Sequence, residues 1–193
     1  MSLVSTVSLI AGARSGCLVS FPTDTVPALA VRPDRGSDIY TLKQRSPDKP
    51  LILMAASWSA FLPFLAVEQP HLQVWQEMAQ KYLPGALTLV LPASELGQQL
   101  NQGFPTLGVR IPDSQVAIAI LQQTGALLTT SANQSNHPPL RQLQQIHDSF
   151  PSVLVLAEGI DIHTELGSGS PSTVVEWVDE QWVVRRQGSV YLD

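Results

Sequence analysis

Hydroxyl and carboxylate side chains follow the first strongly apolar stretch of this sequence. Thr23, Asp24 and Thr25 come directly after the apolar run 17–21, which predicts a buried strand. Loops at the ends of strands in a rigid sheet often hold small polar ligands. An ordinary turn, in which Pro and Asp are common, explains the same residues without a ligand. The segment is therefore a candidate wall of a binding site.

Arg110 stands inside the apolar frame 107–111, between Val109 and Ile111. Burying a guanidinium in a strand is costly unless the group is paired with an anion. A protein carboxylate would make it a structural ion pair. A ligand carboxylate or phosphate would instead be gripped by two parallel hydrogen bonds. The sequence leaves both interpretations open.

Three further cations, Lys43, Arg45 and Lys49, lie at and just after the end of a predicted helix. Cations at this end interact favourably with the helix dipole, which is a sufficient structural reason for Lys43 and Arg45. Alternatively, two cations on one turn can share a polyphosphate. The spacing is compatible with either role.

Hydroxyl and amide groups also follow the predicted strand 126–129, at Ser131 and Asn133. They can contact a nucleotide, or they can form a turn or a helix cap. Ser172 and Arg186 lie in the C-terminal part of the chain, and Arg186 either joins the cations or ends a solvated strand. Together these groups suit a site for a multiply anionic ligand and a small polar co-substrate.

The amino-acid composition limits the classes of protein to which this chain can belong. A chain of 193 residues with 44% hydrophobic and 14% charged residues predicts one globular domain over residues 1–193. The net charge of −5 disfavours a general nucleic-acid coat protein, although eleven Lys and Arg suffice for a local basic groove. No run of about 18 apolar residues is present, so we expect no membrane span and a cytoplasmic location.

Several kinds of site are not predicted. The single cysteine, Cys17, is expected to be a small buried hydrophobic residue, and the four histidines lack metal-ligand spacing. No Walker or Rossmann glycine-rich loop occurs, so a nucleotide must be bound in another way. The segment 158–171 contains three glycines, and it is the candidate for a mobile loop or lid.

Apolar periodicity predicts alternating helices and strands, and hence an α/β fold with some antiparallel pairing near the C-terminus. Residues 95–105 are predicted to form a polar loop. The predicted helices cover 3–15, 34–45, 57–65, 71–82, 115–123 and 140–150, and the predicted strands 17–21, 28–31, 51–54, 87–91, 106–111, 126–129, 153–156, 173–177 and 182–185.

The order of the polar motifs resembles the YrdC/TsaC family over nearly the whole chain. The resemblance rests on Pro22-Thr23-Asp24-Thr25-Val26, Lys43-x-Arg45 followed by Pro50-Leu51, Pro84-Gly85-x-x-Thr88, Val109-Arg110-Ile111-Pro112, Ser131-Ala132-Asn133-x-Ser135, Ser172-Thr173-Val174 and Arg186-x-Gly188. It implies a twisted mixed β-sheet with flanking helices around an open, positively lined groove. It also implies L-threonylcarbamoyladenylate synthase activity, in which L-threonine, bicarbonate and ATP give threonylcarbamoyl-AMP and pyrophosphate.

The resemblance also implies roles for individual residues. Lys43 and Arg45 are the implied catalytic pair, and Thr25, Arg110 and Ser172 are implied to bind threonine. The implied ATP contacts are Lys43, Arg45, Lys49, Thr106, Ser131, Asn133 and Arg186. Mg²⁺ is expected to enter with ATP, without a metal site made by the protein. The implied partners are tRNA or double-stranded RNA and the downstream proteins of tRNA threonylcarbamoyladenosine modification.

The sequence departs from the family pattern in the opening loop. The family continues Val-Tyr-Gly-Leu where this chain has Val26-Pro27-Ala28-Leu29, and Met54 replaces a frequent His. These changes motivate an alternative, a diverged paralogue that binds nucleotide or double-stranded RNA without making the adenylate. A third hypothesis is a carbamoyl-transfer module like the related domain of hydrogenase maturation factors.

Overall fold

The computed structural model describes residues 2–67 and 71–193. These residues form a ten-stranded mixed sheet with helices packed against it, which confirms the predicted α/β class. The helices are α1 (Thr6–Arg14), α2 (Gly36–Lys43), α3 (Leu72–Tyr82), α4 (Glu95–Leu100), α5 (Gln115–Thr124) and α6 (Leu143–Ser149). The strands are β1 (Leu3–Val4), β2 (Val19–Phe21), β3 (Ala28–Val31), β4 (Ile52–Met54), β5 (Leu87–Pro92), β6 (Thr106–Arg110), β7 (Leu127–Ser131), β8 (Leu154–Leu156), β9 (Thr173–Val178) and β10 (Gln181–Arg186).

The strand order places polar motifs that are distant in sequence at the centre of the sheet. The order is β1-β8-β2-β3-β7-β4-β6-β5-β9-β10, with both parallel and antiparallel neighbours. β3 pairs with β7 so that Ala28 lies opposite Ser131, and β4 pairs with β6 so that Met54 lies opposite Arg110. The opening loop, the Ser131 segment and Arg110 therefore meet over the central strands.

Apolar side chains from both helices and strands fix this arrangement. Phe61 and Trp75 are fully buried against the sheet in the largest core cluster. α1 and α5 contribute Leu9 and Ile120 to a second cluster, and α6 contributes Leu143 to a third. Each such side chain stabilises the fold by roughly 1.5–3 kcal/mol through the apolar surface removed from water. The strand ends that carry the polar motifs are thus held by a packed core.

Most predicted elements are found within a few residues of their predicted bounds, and three segments differ. The predicted helix 3–15 begins as β1 and becomes helical only at Thr6, while 57–65 contains a 3₁₀ helix, Trp58–Phe64. The prediction of a loop over 95–105 is wrong, because α4 occupies its first half. The Ser94 side chain accepts a hydrogen bond from the Gly97 amide and caps that helix.

The prediction that Cys17 is buried is also wrong, because its side chain is exposed. α1 ends at Arg14 and β2 begins only at Val19, so Cys17 lies in the link between them. Within the described residues, no helix is long and apolar enough to cross a membrane.

Candidate functional site

A cavity of about 300 Å³ lies over the central strands. Within residues 2–67 and 71–193, its wall combines three arginines, several hydroxyl groups and an apolar patch, and it contains no Asp or Glu. The lining residues are Thr23, Thr25, Val26, Pro27, Ala28, Arg45, Pro50, Ile52, Met54, Arg110, Thr129, Thr130, Ser131, Asn133, His137, Pro139, Pro171, Ser172 and Arg186. This set comes from β3, β4, β6, β7 and β10 and the loops beside them, so the fold assembles it from the whole length of the chain.

Internal hydrogen bonds link the residues of the opening loop to one another. The Thr23 hydroxyl donates to the Val26 carbonyl oxygen at 2.7 Å, and the Thr23 and Thr25 hydroxyl oxygens lie 3.1 Å apart. Thr25 also accepts a hydrogen bond from Nη1 of Arg110 at 2.8 Å. Because the Thr23 proton is used for Val26, the Thr25 hydroxyl donates to Thr23, and after the bond from Arg110 the Thr25 oxygen keeps one lone pair for a ligand that donates a hydrogen bond.

Arg110 has a protein carboxylate as its partner. The residue is 5% exposed, and its Nη2 donates to Oδ1 of Asp24 at 2.7 Å. Its Nε donates to the Gly85 carbonyl oxygen at 3.0 Å. Burial lowers the pKa of the Arg110 guanidinium, and the Asp24 charge counteracts that shift. With the bond to Thr25, three of the five guanidinium N–H groups are used, and two are left for a ligand.

Arg45 and Arg186 line the cavity without a carboxylate partner among the described residues. Arg45 donates to the carbonyl oxygens of Lys49 and Pro50 at 3.0 and 3.1 Å. Nη2 of Arg186 donates to the Ser172 carbonyl oxygen at 2.8 Å. Burial lowers the pKa of both guanidinium groups, and for Arg45 the nearby Tyr40 counteracts that shift in part. Both cations therefore remain available to a bound anion.

The two lysines predicted as phosphate contacts occupy different environments. The structure does not bring Lys43 to the cavity surface, since it is only 1% exposed and absent from the lining. Lys49 is exposed, and its Nζ donates to Oδ1 of Asn136 at 3.0 Å, beside the residues that follow β7. Lys49 is therefore accessible from solvent, whereas Lys43 is enclosed by protein.

Of the remaining predicted residues, Ser131, Asn133 and Ser172 line the cavity and Thr106 does not. Thr106 begins β6 and Arg110 ends it, and alternation along a strand puts both side chains on one face. Four strand residues span about 13 Å, so Thr106 lies about that far from Arg110 along β6. The structure thus places Thr106 apart from the group it was predicted to join.

Thr129, Thr130 and His137 also line the cavity, although the sequence predicted no ligand role for them. Thr129 ends the predicted strand and Thr130 opens the polar segment after it, whereas β7 continues to Ser131. The run of hydroxyl residues 129–131 was the available signal, since alternation along a strand would direct part of it to one face. His137 had no distinguishing signal in its polar segment.

The segment 158–171 packs against the opening loop. The amides of Ser168 and Gly169 each donate at 2.9 Å, to the carbonyl oxygens of Asp24 and Thr25 respectively. On its other side the segment is held by Arg141, which pairs with Glu165 at 2.6 Å. The segment is therefore attached to the cavity wall, and its proposed role as a lid stays a prediction.

This geometry defines an α/β protein whose central cavity presents cations and hydroxyl groups. A family model for Sua5, YciO and YrdC proteins, described as "Telomere recombination", matches residues 12–188. The chain belongs to this family, as its ordered motifs predicted.

Individual relatives agree with that assignment. Threonylcarbamoyl-AMP synthase of Bacillus subtilis is 30% identical over 92% of this chain and 51% of the relative. The Escherichia coli K12 protein of the same name is 31% identical over 74% of this chain and 77% of the relative. The structure of Pyrococcus abyssi Sua5 complexed with L-threonine matches 95% of this chain and 53% of that chain, with 28% identity and a TM-score of 0.83. The chain spans about half the length of the Bacillus and Pyrococcus relatives.

Proposed function

We propose that this protein is an L-threonylcarbamoyladenylate synthase, which makes threonylcarbamoyl-AMP and pyrophosphate from L-threonine, bicarbonate and ATP. The observation that carries the proposal is the composition of the cavity wall, which among the residues that the structure describes has three arginines and no carboxylate, in a protein of net charge −5. Such a wall suits a polyphosphate together with an amino-acid carboxylate. Relatives that bear the synthase name support the choice of reaction.

The proposed reaction needs positioning more than proton chemistry. Threonine and bicarbonate give a carbamate and water. A carbamate oxygen then attacks the α-phosphorus of ATP, and the bond to the leaving pyrophosphate breaks. Arg45 and Arg186, which have free N–H groups, would stabilise the negative charge on the transferring phosphoryl group and on pyrophosphate. Ser131 and Asn133 would contact the nucleotide, Lys49 would contact its phosphates from the rim, and Thr106 would meet it at the far end of β6.

Threonine would lie at the other end of the cavity. Its carboxylate would take the two remaining N–H groups of Arg110, beside Ser172. One of its donor groups would meet the remaining lone pair of the Thr25 hydroxyl. Mg²⁺ would be held by ATP phosphates and water, because the described part of the lining provides hydroxyls but no carboxylates for the metal. The charge of the ion would add to that of the arginines around the phosphates.

We also propose the cellular setting that this chemistry implies. The adenylate would be used by downstream proteins that modify tRNA to threonylcarbamoyladenosine, in the cytoplasm. We propose that the single domain 1–193 carries the whole catalytic site, since the cavity is assembled from the opening loop through β10.

The test is threonine-dependent pyrophosphate release by the purified protein with ATP and labelled bicarbonate, together with detection of labelled threonylcarbamoyl-AMP. Arg186→Gln should raise the KM for ATP by about 10- to 100-fold, since it removes charge-assisted hydrogen bonds. The matched control is Arg185→Gln, because this neighbour pairs with Glu176 and is absent from the cavity wall. Equal effects of the two changes would contradict the proposed site.

The alternative function is supported by the lining itself. Pro27 and Ala28, which depart from the family pattern, both line the cavity. ATP binding without threonine-dependent turnover would indicate a diverged nucleotide-binding paralogue. Tight, salt-sensitive binding of double-stranded RNA without turnover would indicate an RNA-binding paralogue.

A further inference from the structure

Lys43 is the most deeply buried cation of the central region. It is the last residue of α2 and is 1% exposed. Its Nζ lies 2.6 Å from the Ser131 carbonyl oxygen, 3.2 Å from Oδ1 of Asn133 and 3.3 Å from Oγ1 of Thr130. An ammonium group has three N–H donors, and three protein acceptors surround this one. Lys43 therefore has no donor left for a phosphate.

All three acceptors belong to the segment 130–133, which lines the cavity. Asn133 is fixed on its other side as well, because its Nδ2 donates to the carbonyl oxygens of Gln134 and His137, both at 2.7 Å. The Lys43 backbone carbonyl oxygen accepts a hydrogen bond from the Ser135 hydroxyl at 2.9 Å. Lys43 thus holds this part of the wall through both its side chain and its main chain.

Interaction with the helix dipole does not account for this geometry. A cation that stabilised the end of α2 in that way would lie over the last carbonyl groups of the helix. The Lys43 amine instead contacts residues about 90 positions further along the chain. Burial, and to a smaller extent the nearby Arg45 charge, lower the pKa of Lys43 to about 7. Lys43 has no carboxylate partner among the described residues, so the cost of burying its amine is offset only by the three hydrogen bonds to the 130–133 segment.

We propose that Lys43 is a positioning residue that fixes the shape of the 130–133 segment, and that it does not touch the nucleotide. The expected effect of Lys43 on ATP binding rests on the proposed nucleotide site. The enclosed position of the Lys43 amine can be tested without any ligand. The proposal separates Lys43 from Arg45, although both belong to one short motif. Arg45 acts on the ligand directly, and Lys43 acts through Asn133 and its neighbours.

The first experiment is amine labelling of the wild-type protein, followed by peptide mass spectrometry. The chain has three lysines, Lys43, Lys49 and Lys81, and the last two are exposed. Reductive methylation without nucleotide should modify Lys49 and Lys81 and leave Lys43 unmodified, and added ATP should not change the result for Lys43. Modification of Lys43 that ATP prevents would show that its amine faces the ligand and would overturn the proposal.

The second experiment is a double-mutant cycle on ATP affinity. Lys43→Met and Asn133→Ala should each raise the dissociation constant for ATP about tenfold, the effect of losing about one hydrogen bond. The double variant should also bind about tenfold more weakly, because both changes disrupt one unit. A hundredfold loss in the double variant would mean independent contacts with ATP and would overturn the proposal.

Two controls keep the outcomes distinct. Lys81→Met removes an exposed lysine that pairs with Asp193, and it should leave ATP affinity unchanged. Thermal unfolding of each variant confirms that the fold is retained. If the wild-type protein binds no ATP, the proposed function fails, whereas the labelling pattern still shows whether the Lys43 amine is enclosed by protein.

Discussion

The ion pair between Asp24 and Arg110 allows a quantitative test of how the opening loop is held. The pair is almost enclosed, with side-chain exposures of 16% for Asp24 and 6% for Arg110. Asp24→Asn keeps the shape of the side chain and removes its charge. Breaking a buried pair from one side costs about 3–5 kcal/mol. Because Arg110 keeps its bonds to Gly85 and Thr25, we expect a loss near the lower limit, about 3 kcal/mol.

The assay is the free energy of unfolding in urea, with thermal unfolding beside it. A loss of about 3 kcal/mol in a chain of this size lowers Tm by roughly 6–12 °C. The matched control is Asp34→Asn, which breaks an exposed pair with Arg32 and should cost less than about 1 kcal/mol. If Asp24→Asn is no more destabilising than Asp34→Asn, the charge of Asp24 does not support Arg110, and the reasoning fails.

The same variant also tests the proposed threonine site. Asp24→Asn leaves the Arg110 guanidinium without the carboxylate that pairs with it. A bound threonine carboxylate should therefore replace that carboxylate in part. L-threonine should therefore raise the Tm of Asp24→Asn by more than it raises the Tm of the wild type. Equal shifts for the two proteins would place the threonine carboxylate elsewhere.

Two further measurements test the interior of the site. The Lys43 pKa is about 7 in the folded protein against 10.5 as its ordinary value, so the unfolded chain binds more protons between these pH values. The free energy of unfolding should therefore rise from pH 7 to about pH 10, and the rise should be smaller in Lys43→Met if this amine causes it. Gly167 has a φ of +67°, and an added Cβ would collide with the Thr25 carbonyl oxygen. Gly167→Ala should therefore destabilise the fold by about 2 kcal/mol or more, and it should also weaken threonine binding. Gly159→Ala is its control, with a φ of +70° and open space around the added Cβ, and equal losses would show that packing on Thr25 contributes nothing.

The sheet could be predicted because its strands are short apolar runs separated by polar turns. The strand 28–31 was predicted with its observed bounds, and its four residues are all buried. α4 was missed because Gly97 interrupts a sequence of mostly polar residues and weakens the helical pattern. In the structure that glycine lets the helix approach the Phe64 carbonyl oxygen closely, a contact that depends on tertiary packing. The hydrophobic pattern of one segment does not reveal a contact with a residue that is distant in the sequence.

The residue types of the candidate site could be predicted from the sequence, but not which side chains face the cavity and which face the protein interior. Lys43 and Arg45 are two residues apart and looked equivalent, yet Gln44 between them adopts a left-handed conformation with a φ of 49°. The chain therefore turns, so that Lys43 lies inside the protein and Arg45 lies on the cavity wall. The sequence also left open whether Arg110 pairs with a protein carboxylate or a ligand. The structure gives Asp24 as the partner and leaves two N–H groups for a ligand.

The charges of the cavity share one physical property. Burial lowers the pKa of Arg45, Arg110 and Arg186, and only Arg110 has a carboxylate partner among the described residues. Arg45 is partly buried and has no carboxylate partner among the described residues, which raises the free energy of the protein without an anion, whereas the more exposed Arg186 adds less to that cost. Donors held in place before the reaction also need little reorganisation when charge develops on a phosphoryl group. The feature that makes the empty cavity unfavourable is therefore the same feature that would allow it to bind ATP and stabilise the departure of pyrophosphate.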